Sequence, residues 1–166
     1  MAADPSRVES VIEELENGAA PGREYKILED DLNAYLKAEM KKNQHPAVQD
    51  IAVRFHEGSF TTRMQVDMDQ VELKDQSMTA GLLSSLMTGV QVIQVEGTLK
   101  TKNGTGTYAT RKAWLNDVPV PATLVDSLLS RIGQKNEPPF DPTEPFKMPY
   151  KIKEVILKAG QVQLLT

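Results

Sequence analysis

Residues 92–115, VIQVEGTLKTKNGTGTYATRKAWL, contain two segments of alternating apolar and polar residues on either side of an Asn-Gly pair. Alternation with a period of two is typical of a strand that buries one face. Asn103 and Gly104 favour the positive φ angles of a tight turn, so the stretch predicts a hairpin with arms at 92–102 and 105–115. Arms of about ten residues would extend over roughly 33 Å, against a mean strand of about five or six residues. Because long antiparallel ribbons twist strongly, we expect this sheet to curve.

The same alternation predicts two further hairpins. One joins residues 51–55 to residues 60–68 across the corner HEGS. The other occupies the C-terminal stretch FKMPYKIKEVILKAGQVQLLT, residues 146–166, with a turn at Lys-Ala-Gly. Its apolar face is expected to close one end of the sheet over a helix. That face consists of Val155, Leu157, Val162 and Leu164.

Apolar residues at helical spacing predict three helices, at about residues 5–17, 29–43 and 124–132. Two stretches between the periodic segments fit neither pattern. We treat DQSMTAGLLSSLMTG (75–89) as an irregular crossing, and we expect NDVPVP (116–121) to interrupt the sheet.

The order helix, helix, hairpin, crossing, hairpin, helix, hairpin predicts an α+β fold, because hairpin connections make the sheet antiparallel. We expect a strongly curved antiparallel sheet, built from hairpins, that wraps around a long helix. The length of 166 residues favours a single domain spanning 1–166. Within it, residues 1–26 form an N-terminal helix and linker, and residues 27–166 form the helix and curved sheet.

Composition excludes several classes of protein. A net charge of −4 argues against non-specific binding of nucleic acid, which requires a basic surface. No run approaches the roughly 20 apolar residues of a membrane span, so no transmembrane span is expected. The absence of cysteine removes disulfides, thiolate metal sites and thiol nucleophiles. The N-terminus lacks the basic-then-apolar pattern of a secretion signal.

The residues that usually carry catalysis are scattered. His45 lies at a predicted helix end and His56 in a turn, and no histidine follows them. Ser84 and Ser85 lack the G-x-S-x-G pattern of a nucleophile elbow. The acidic run at 29–31 suits the positive end of a helix dipole, which explains it without a metal. We therefore predict no enzyme activity, no metal and no cofactor.

Seven methionines against one tryptophan and four each of phenylalanine and tyrosine indicate a flexible interior. Methionine accommodates variable apolar partners, which would suit a groove for an acyl chain, although methionine that merely fills core gaps is the more probable explanation from composition alone. If a groove lies between helix 29–43 and the sheet, we expect nine residues to line it. They are Leu32, Tyr35, Leu36, Phe55, Met64, Val66, Leu83, Met87 and Leu128.

Three stretches, in this order, resemble one family of proteins. ILEDDLNAYLK (27–37) resembles the helix opening of bacterial exported TULIP-like (tubular lipid-binding) proteins. The stretch 92–132 resembles their hairpin and following helix, and FKMPYKIKEVILKAGQVQL (146–164) resembles their common ending. The chain is thus similar to YceB-type lipoproteins and LmeA-type phospholipid-binding proteins.

This resemblance implies a lipid or another elongated apolar molecule as ligand, and a periplasmic or cell-envelope location. It transfers no catalytic residue. Pro149, Tyr150 and Ile152 match the family's PYgI corner, and Gly160 matches the final turn. Lys151 stands where that corner has glycine, and no lipobox cysteine supports a covalent anchor. The alternative is a structural or protein-interaction domain of the cell envelope without a small-molecule ligand; the protein partners cannot be predicted.

Overall fold

We describe the protein from a computed structural model, which covers residues 3–18, 20–43, 45–70, 88–134 and 140–166. Within these residues the fold is α+β, and every strand pair is antiparallel. The helices are α1 (Pro5–Glu16), α2 (Glu29–Lys42) and α3 (Ala122–Gly133), and the strands are β1 (Glu24–Leu28), β2 (Val48–His56), β3 (Ser59–Asp67), β4 (Val90–Lys102), β5 (Thr105–Leu115), β6 (Val118–Val120), β7 (Phe146–Lys147), β8 (Glu154–Lys158) and β9 (Gln161–Leu165).

The strands form two sheets. The main sheet has the order β2-β3-β4-β5-β6, and β7 pairs with the other end of β5. The predicted hairpins β2–β3 and β4–β5 are confirmed, and the turn between β4 and β5 has positive φ at Asn103 and Gly104, as the Asn-Gly pair predicts. The C-terminal hairpin β8–β9 is also confirmed, with Val155 opposite Leu164 and Leu157 opposite Val162.

The C-terminal hairpin belongs to a separate small sheet, with the order β1-β9-β8. Its third strand, β1, lies where the sequence pattern predicts a linker and the start of a helix. The short segment EYKIL buries only Tyr25 and Ile27, so its periodic signal is too brief to separate from the helix that follows. Long-range pairing with β9 is what makes it a strand.

The prediction that residues 116–121 interrupt the sheet is wrong. Asn116 and Asp117 both have positive φ and form a tight turn into β6, which returns along β5. Pro119 is tolerated there because β6 is an outer strand, where a missing N–H removes no ladder bond on the free side. A turn made by Asn and Asp instead of Asn and Gly conceals the hairpin.

Helix α3 packs on one face of the main sheet and covers one end of it. We call this face the inner face. Its residues Val125, Leu128 and Ile132 are buried. They pack against side chains of β3, β4 and β5 in the first core cluster. The buried members of this cluster are Ala47, Val48, Met64, Val66, Met68, Ile93, Val95, Ala113, Leu115, Val125, Leu128 and Ile132.

The small sheet and α1 cover the other end of the inner face. Leu157 and Val162 of the C-terminal hairpin join Phe55, Ile27 and Val8 in the second core cluster. The apolar side of the hairpin therefore closes one end of the main sheet, as its alternation indicates. Fully burying one aliphatic side chain contributes about 1.5–3 kcal/mol, so this contact holds the two sheets together.

Helix α2 lies along the outer edge of β2. The side-chain amide of Asn33 donates to the carbonyl of Val53 at 2.8 Å, and its oxygen accepts the Val53 N–H at 2.8 Å. The Phe55 N–H donates to Glu29 Oε1 at 2.7 Å, and the Phe55 carbonyl accepts from the Gly160 N–H. These contacts satisfy backbone groups that an edge strand would otherwise leave open to another chain.

A sheet wrapped around a long helix is not confirmed. The described helices have 12, 14 and 12 residues, and the main sheet does not close on itself. The only buried residue of α2 is Asp31, which accepts hydrogen bonds from the Asp4 N–H and the Arg7 guanidinium. A helix at the centre of a trough would bury apolar side chains around its circumference. The predicted crossing falls mostly on residues 71–87, which lie outside the described residues.

The corner before β8 has an unusual backbone. Tyr150 and Lys151 have φ of 56° and 62°, in the left-handed region that favours glycine. Three backbone hydrogen bonds hold the corner, from Met148 N–H to the Gly104 carbonyl, from Gly104 N–H to the Lys153 carbonyl and from Ile152 N–H to the Pro149 carbonyl. Lys151 thus adopts a backbone conformation that glycine usually occupies.

Replacing Asn33 by alanine should destabilise the protein by about 1–3 kcal/mol, because two backbone groups of half-buried Val53 lose their partners. Urea unfolding followed by circular dichroism measures this. Asn43→Ala is the matched control, since the exposed Asn43 side chain donates to the carboxylate of half-buried Glu39 and not to a strand. Equal losses in the two variants would show that α2 does not cap the edge of β2.

Lys151→Gly should stabilise the protein by about 1 kcal/mol, because it relieves a left-handed backbone that costs a side-chain-bearing residue free energy. Lys153→Gly should instead lower the stability, since Lys153 is not among the residues with positive φ. Both free energies of unfolding come from urea titrations. A loss of stability in Lys151→Gly would contradict the assignment of the corner.

Candidate functional site

A cavity of about 270 Å³ lies on the inner face of the main sheet and opens to solvent. It sits between the part of the sheet under α3 and the part under the small sheet. Its walls are apolar apart from the hydroxyls of Thr62 and Tyr108. The lining residues are Phe60, Thr62, Met64, Val95, Leu99, Tyr108, Leu129, Phe140, Pro142 and Phe146.

Strand register brings the floor of the cavity together. Phe60 pairs with Gly97, Thr62 with Val95, and Tyr108 with Leu99. Because cross-strand partners share a face, these side chains project to the same side of the sheet. Gly97 leaves the space that the Tyr108 ring occupies, since a Cβ there would overlap that ring. The rings of Phe60 and Tyr108 lie 5.8 Å apart as a result.

The segment 140–146 forms one wall. Phe140 and Phe146 meet edge to face with centroids 5.1 Å apart. Phe140 is anchored to the end of α3, where its N–H donates to the Gly133 carbonyl at 2.9 Å. Asp141 accepts hydrogen bonds from Thr143 and Ser130, and these bonds, the Thr143 hydroxyl first, lower the pKa of its carboxyl group. The wall is therefore pinned to α3 by polar contacts outside the apolar lining.

A chain of hydrogen bonds runs from the cavity to α3. The Thr110 hydroxyl donates to Asp126 Oδ1 at 2.6 Å, so the Tyr108 hydroxyl, 2.6 Å from the Thr110 oxygen, is the donor in their bond. Burial raises the pKa of Tyr108 above its usual 10.0, the bond with Thr110 lowers it, and the Asp126 carboxylate raises it further. The Tyr108 hydroxyl stays protonated at neutral pH and leaves an acceptor lone pair beside the cavity.

The lining offers a molecule in the cavity apolar surface and the hydroxyl groups of Thr62 and Tyr108. The lining contains no carboxylate, imidazole or amine. His45 accepts the Ala47 and Val48 N–H groups through Nδ1, and His56 contacts the Thr61 hydroxyl, so both histidines have structural contacts away from the cavity. Among the described residues, no group of three His, Cys, Asp or Glu is arranged to hold a metal ion. In the same part of the chain, no helix is long and apolar enough to span a membrane.

The nine predicted lining residues fall in different places. Met64 lines the cavity. Val66 and Leu128 are 0% exposed within the first core cluster. Three others, Phe55, Leu32 and Tyr35, belong to or pack against the second core cluster, and Leu36 is half-buried on α2. Leu83 and Met87 lie outside the described residues.

Sequence reasoning missed most of the cavity because it placed the groove beside α2. Phe60, Val95, Leu99 and Tyr108 are all visible as the apolar positions of the predicted hairpins. Phe140 and Phe146, by contrast, lie in a proline-rich stretch without periodicity, and nothing local indicates that they face the sheet. The part of the inner face that stays open is the part that neither α3 nor the small sheet covers, and this depends on the tertiary structure.

Comparisons with family models, with curated proteins and with solved structures found no match for this chain. The similarity to tubular lipid-binding proteins therefore rests on the three sequence stretches alone.

Tyr108 should make the protein lose stability at alkaline pH. Because the folded state binds the phenol proton more tightly than the unfolded chain, its contribution is fully present below about pH 10 and falls as the pH rises toward the folded pKa. Free energies of unfolding measured upward from about pH 9 should fall more steeply in wild type than in Tyr108→Phe.

A spectrophotometric tyrosine titration supplies the second measurement. Compared with wild type, Tyr108→Phe should lose one ionisation step that occurs above pH 10, because burial raises the pKa of Tyr108. Identical alkaline slopes for wild type and Tyr108→Phe would show that the Tyr108 hydroxyl is not held in the cavity wall.

Proposed function

We propose that this protein binds an elongated apolar ligand, such as an acyl chain of a lipid, without catalysing a reaction. The observation that carries the proposal is the open cavity on the inner face of the main sheet, with aromatic and aliphatic walls. A folded protein normally fills such space with its own side chains. An apolar face that stays open to water is a common sign of a binding site.

The size of the cavity limits the ligand. Its volume of about 270 Å³ is slightly below the roughly 300–1,000 Å³ of typical small-molecule pockets. A single chain or ring suits that space, and the rest of a two-chain lipid would stay outside. Each methylene that enters contributes about 0.8 kcal/mol, so a chain that fills the cavity gains affinity with every carbon added.

The polar groups at the wall favour an uncharged end inside the cavity. The Tyr108 hydroxyl already donates to Thr110, so it offers a ligand an acceptor rather than a donor. Asp126 lies one hydrogen bond further on and repels a carboxylate placed at Tyr108. A charged headgroup would therefore point to the mouth, with the apolar chain inside.

The sequence resemblance supports the same class of ligand and extends the proposal to location. We propose a bacterial protein related to the tubular lipid-binding proteins that acts in the periplasm or cell envelope. The resemblance to exported lipid-binding proteins in the stretches 27–37, 92–132 and 146–164 supports this part of the proposal.

A second candidate is a protein-interaction or structural domain of the envelope with no small-molecule ligand. Val90 and Val118 favour it, since they are 50% and 58% exposed at the start of β4 and of β6. A partner covering this end would leave the cavity empty, so probe binding at the cavity separates the two candidates.

Leu129→Trp should fill the cavity and weaken binding of the uncharged fluorescent probe N-phenyl-1-naphthylamine by at least about tenfold, because the indole occupies the space of several methylenes. Leu124→Trp is the matched control. Both leucines are half-buried on α3 and pack against the first core cluster, but only Leu129 lines the cavity. The control should bind the probe like wild type.

Native mass spectrometry and solvent extraction of the purified wild-type protein should release an apolar molecule that Leu129→Trp does not retain. Urea unfolding establishes that both variants are folded. Absence of saturable probe binding in wild type, or equal binding by the two variants, would overturn the proposed function.

A further inference from the structure

Lysines concentrate at one end of the main sheet, around the β4–β5 turn. Lys102 pairs with Thr105, and Thr105 pairs with Lys147 on β7. Cross-strand partners share a face, so Lys102 and Lys147 project to the same side, about two strand spacings or roughly 10 Å apart. Lys100 lies two residues before Lys102 and projects to that side as well.

The corner before β8 adds two more lysines. The Lys153 carbonyl accepts the Gly104 N–H at 3.2 Å, which brings residues 151–153 against the same turn. All five side chains are exposed. We call this group the lysine cluster: Lys100, Lys102, Lys147, Lys151 and Lys153.

The cluster is not neutralised by ion pairs. The described residues contain three salt bridges, all made by arginines, and none involves a lysine. The nearest acids in sequence are Glu144 and Glu154, both exposed. The whole chain carries a net charge of −4, so this end is basic against an acidic background. Such an asymmetry attracts and orients the molecule on a negatively charged surface.

The backbone conformation of Lys151 also supports a functional role for this end of the sheet. A lysine occupies a left-handed position that glycine would occupy without strain. Strained residues that persist are frequently functional, and here the strain presents a positive charge next to Tyr150, which is 43% exposed. Tyrosine beside lysine is a combination favoured at membrane–water interfaces.

We propose that the lysine cluster docks this protein on an anionic lipid surface. A lipid surface fits better than nucleic acid because the remainder of the molecule is acidic and would repel a long polyanion. The cavity is close by, since Phe146 lines it while the adjacent Lys147 belongs to the cluster. Lys147 projects to the face of the sheet opposite the cavity, so the choice of a lipid surface rests on the charge of the cluster and, in part, on the proposed function, which names a lipid as ligand.

The test is co-sedimentation of the full chain with vesicles at low ionic strength. Vesicles of phosphatidylcholine and phosphatidylglycerol in equal parts should bind the protein, and phosphatidylcholine alone should not. Each basic residue near an anionic surface changes the affinity by about fivefold, so a variant with K100Q, K102Q and K147Q should bind roughly 100-fold more weakly. Salt at about 0.15 M should weaken binding of the wild type.

The matched control carries K37Q, K41Q and K42Q on α2, which removes the same charge from exposed positions away from the cluster. It should bind vesicles nearly as well as wild type. Equal losses in the two triple variants, equal binding to both kinds of vesicle, or retention on soluble polyphosphate without vesicle binding would each overturn the proposal.

Leu129→Trp separates this inference from the proposed function. If it binds anionic vesicles like wild type while losing the naphthylamine probe, docking and cavity binding are distinct and both hold. If wild type binds the probe but not the vesicles, only the docking proposal fails. If wild type binds the vesicles but not the probe, only the cavity proposal fails.

Discussion

The longest strands of the main sheet are longer than any described helix that covers them. Strand β4 has 13 residues and extends over roughly 43 Å, whereas the 12 residues of α3 extend over about 18 Å. One helix therefore cannot bury the inner face, and the uncovered end must be buried by something else. The small sheet and α1 take that role, and the cavity lies where the two covers do not meet.

The edge of the sheet imposes a second requirement. Strand β2 would expose a row of backbone donors and acceptors, and α2 satisfies them through Asn33 and Glu29. This explains why α2 has polar residues facing β2 and only one buried residue, Asp31. A helix used in this way closes an edge against aggregation and contributes less to the apolar core.

The cavity and the lysine cluster adjoin each other at β7, on opposite faces of the main sheet. At β7 the chain alternates, so Phe146 faces the cavity and Lys147 projects to the opposite side with Lys102. One short strand thus joins an apolar site to a basic surface.

The sequence by itself determined the local elements. Period-two alternation and the Asn-Gly turn define the β4–β5 hairpin, and apolar spacing defines α1, α2 and α3, because both patterns act over neighbouring residues. Tertiary structure alone decided that EYKIL is a strand, that residues 116–121 continue the sheet, and that an apolar cavity opens beneath α3 and Phe146. Those outcomes depend on contacts between residues far apart in the chain. Such contacts produce no periodic pattern in the segments that make them, so the sequence pattern does not predict them.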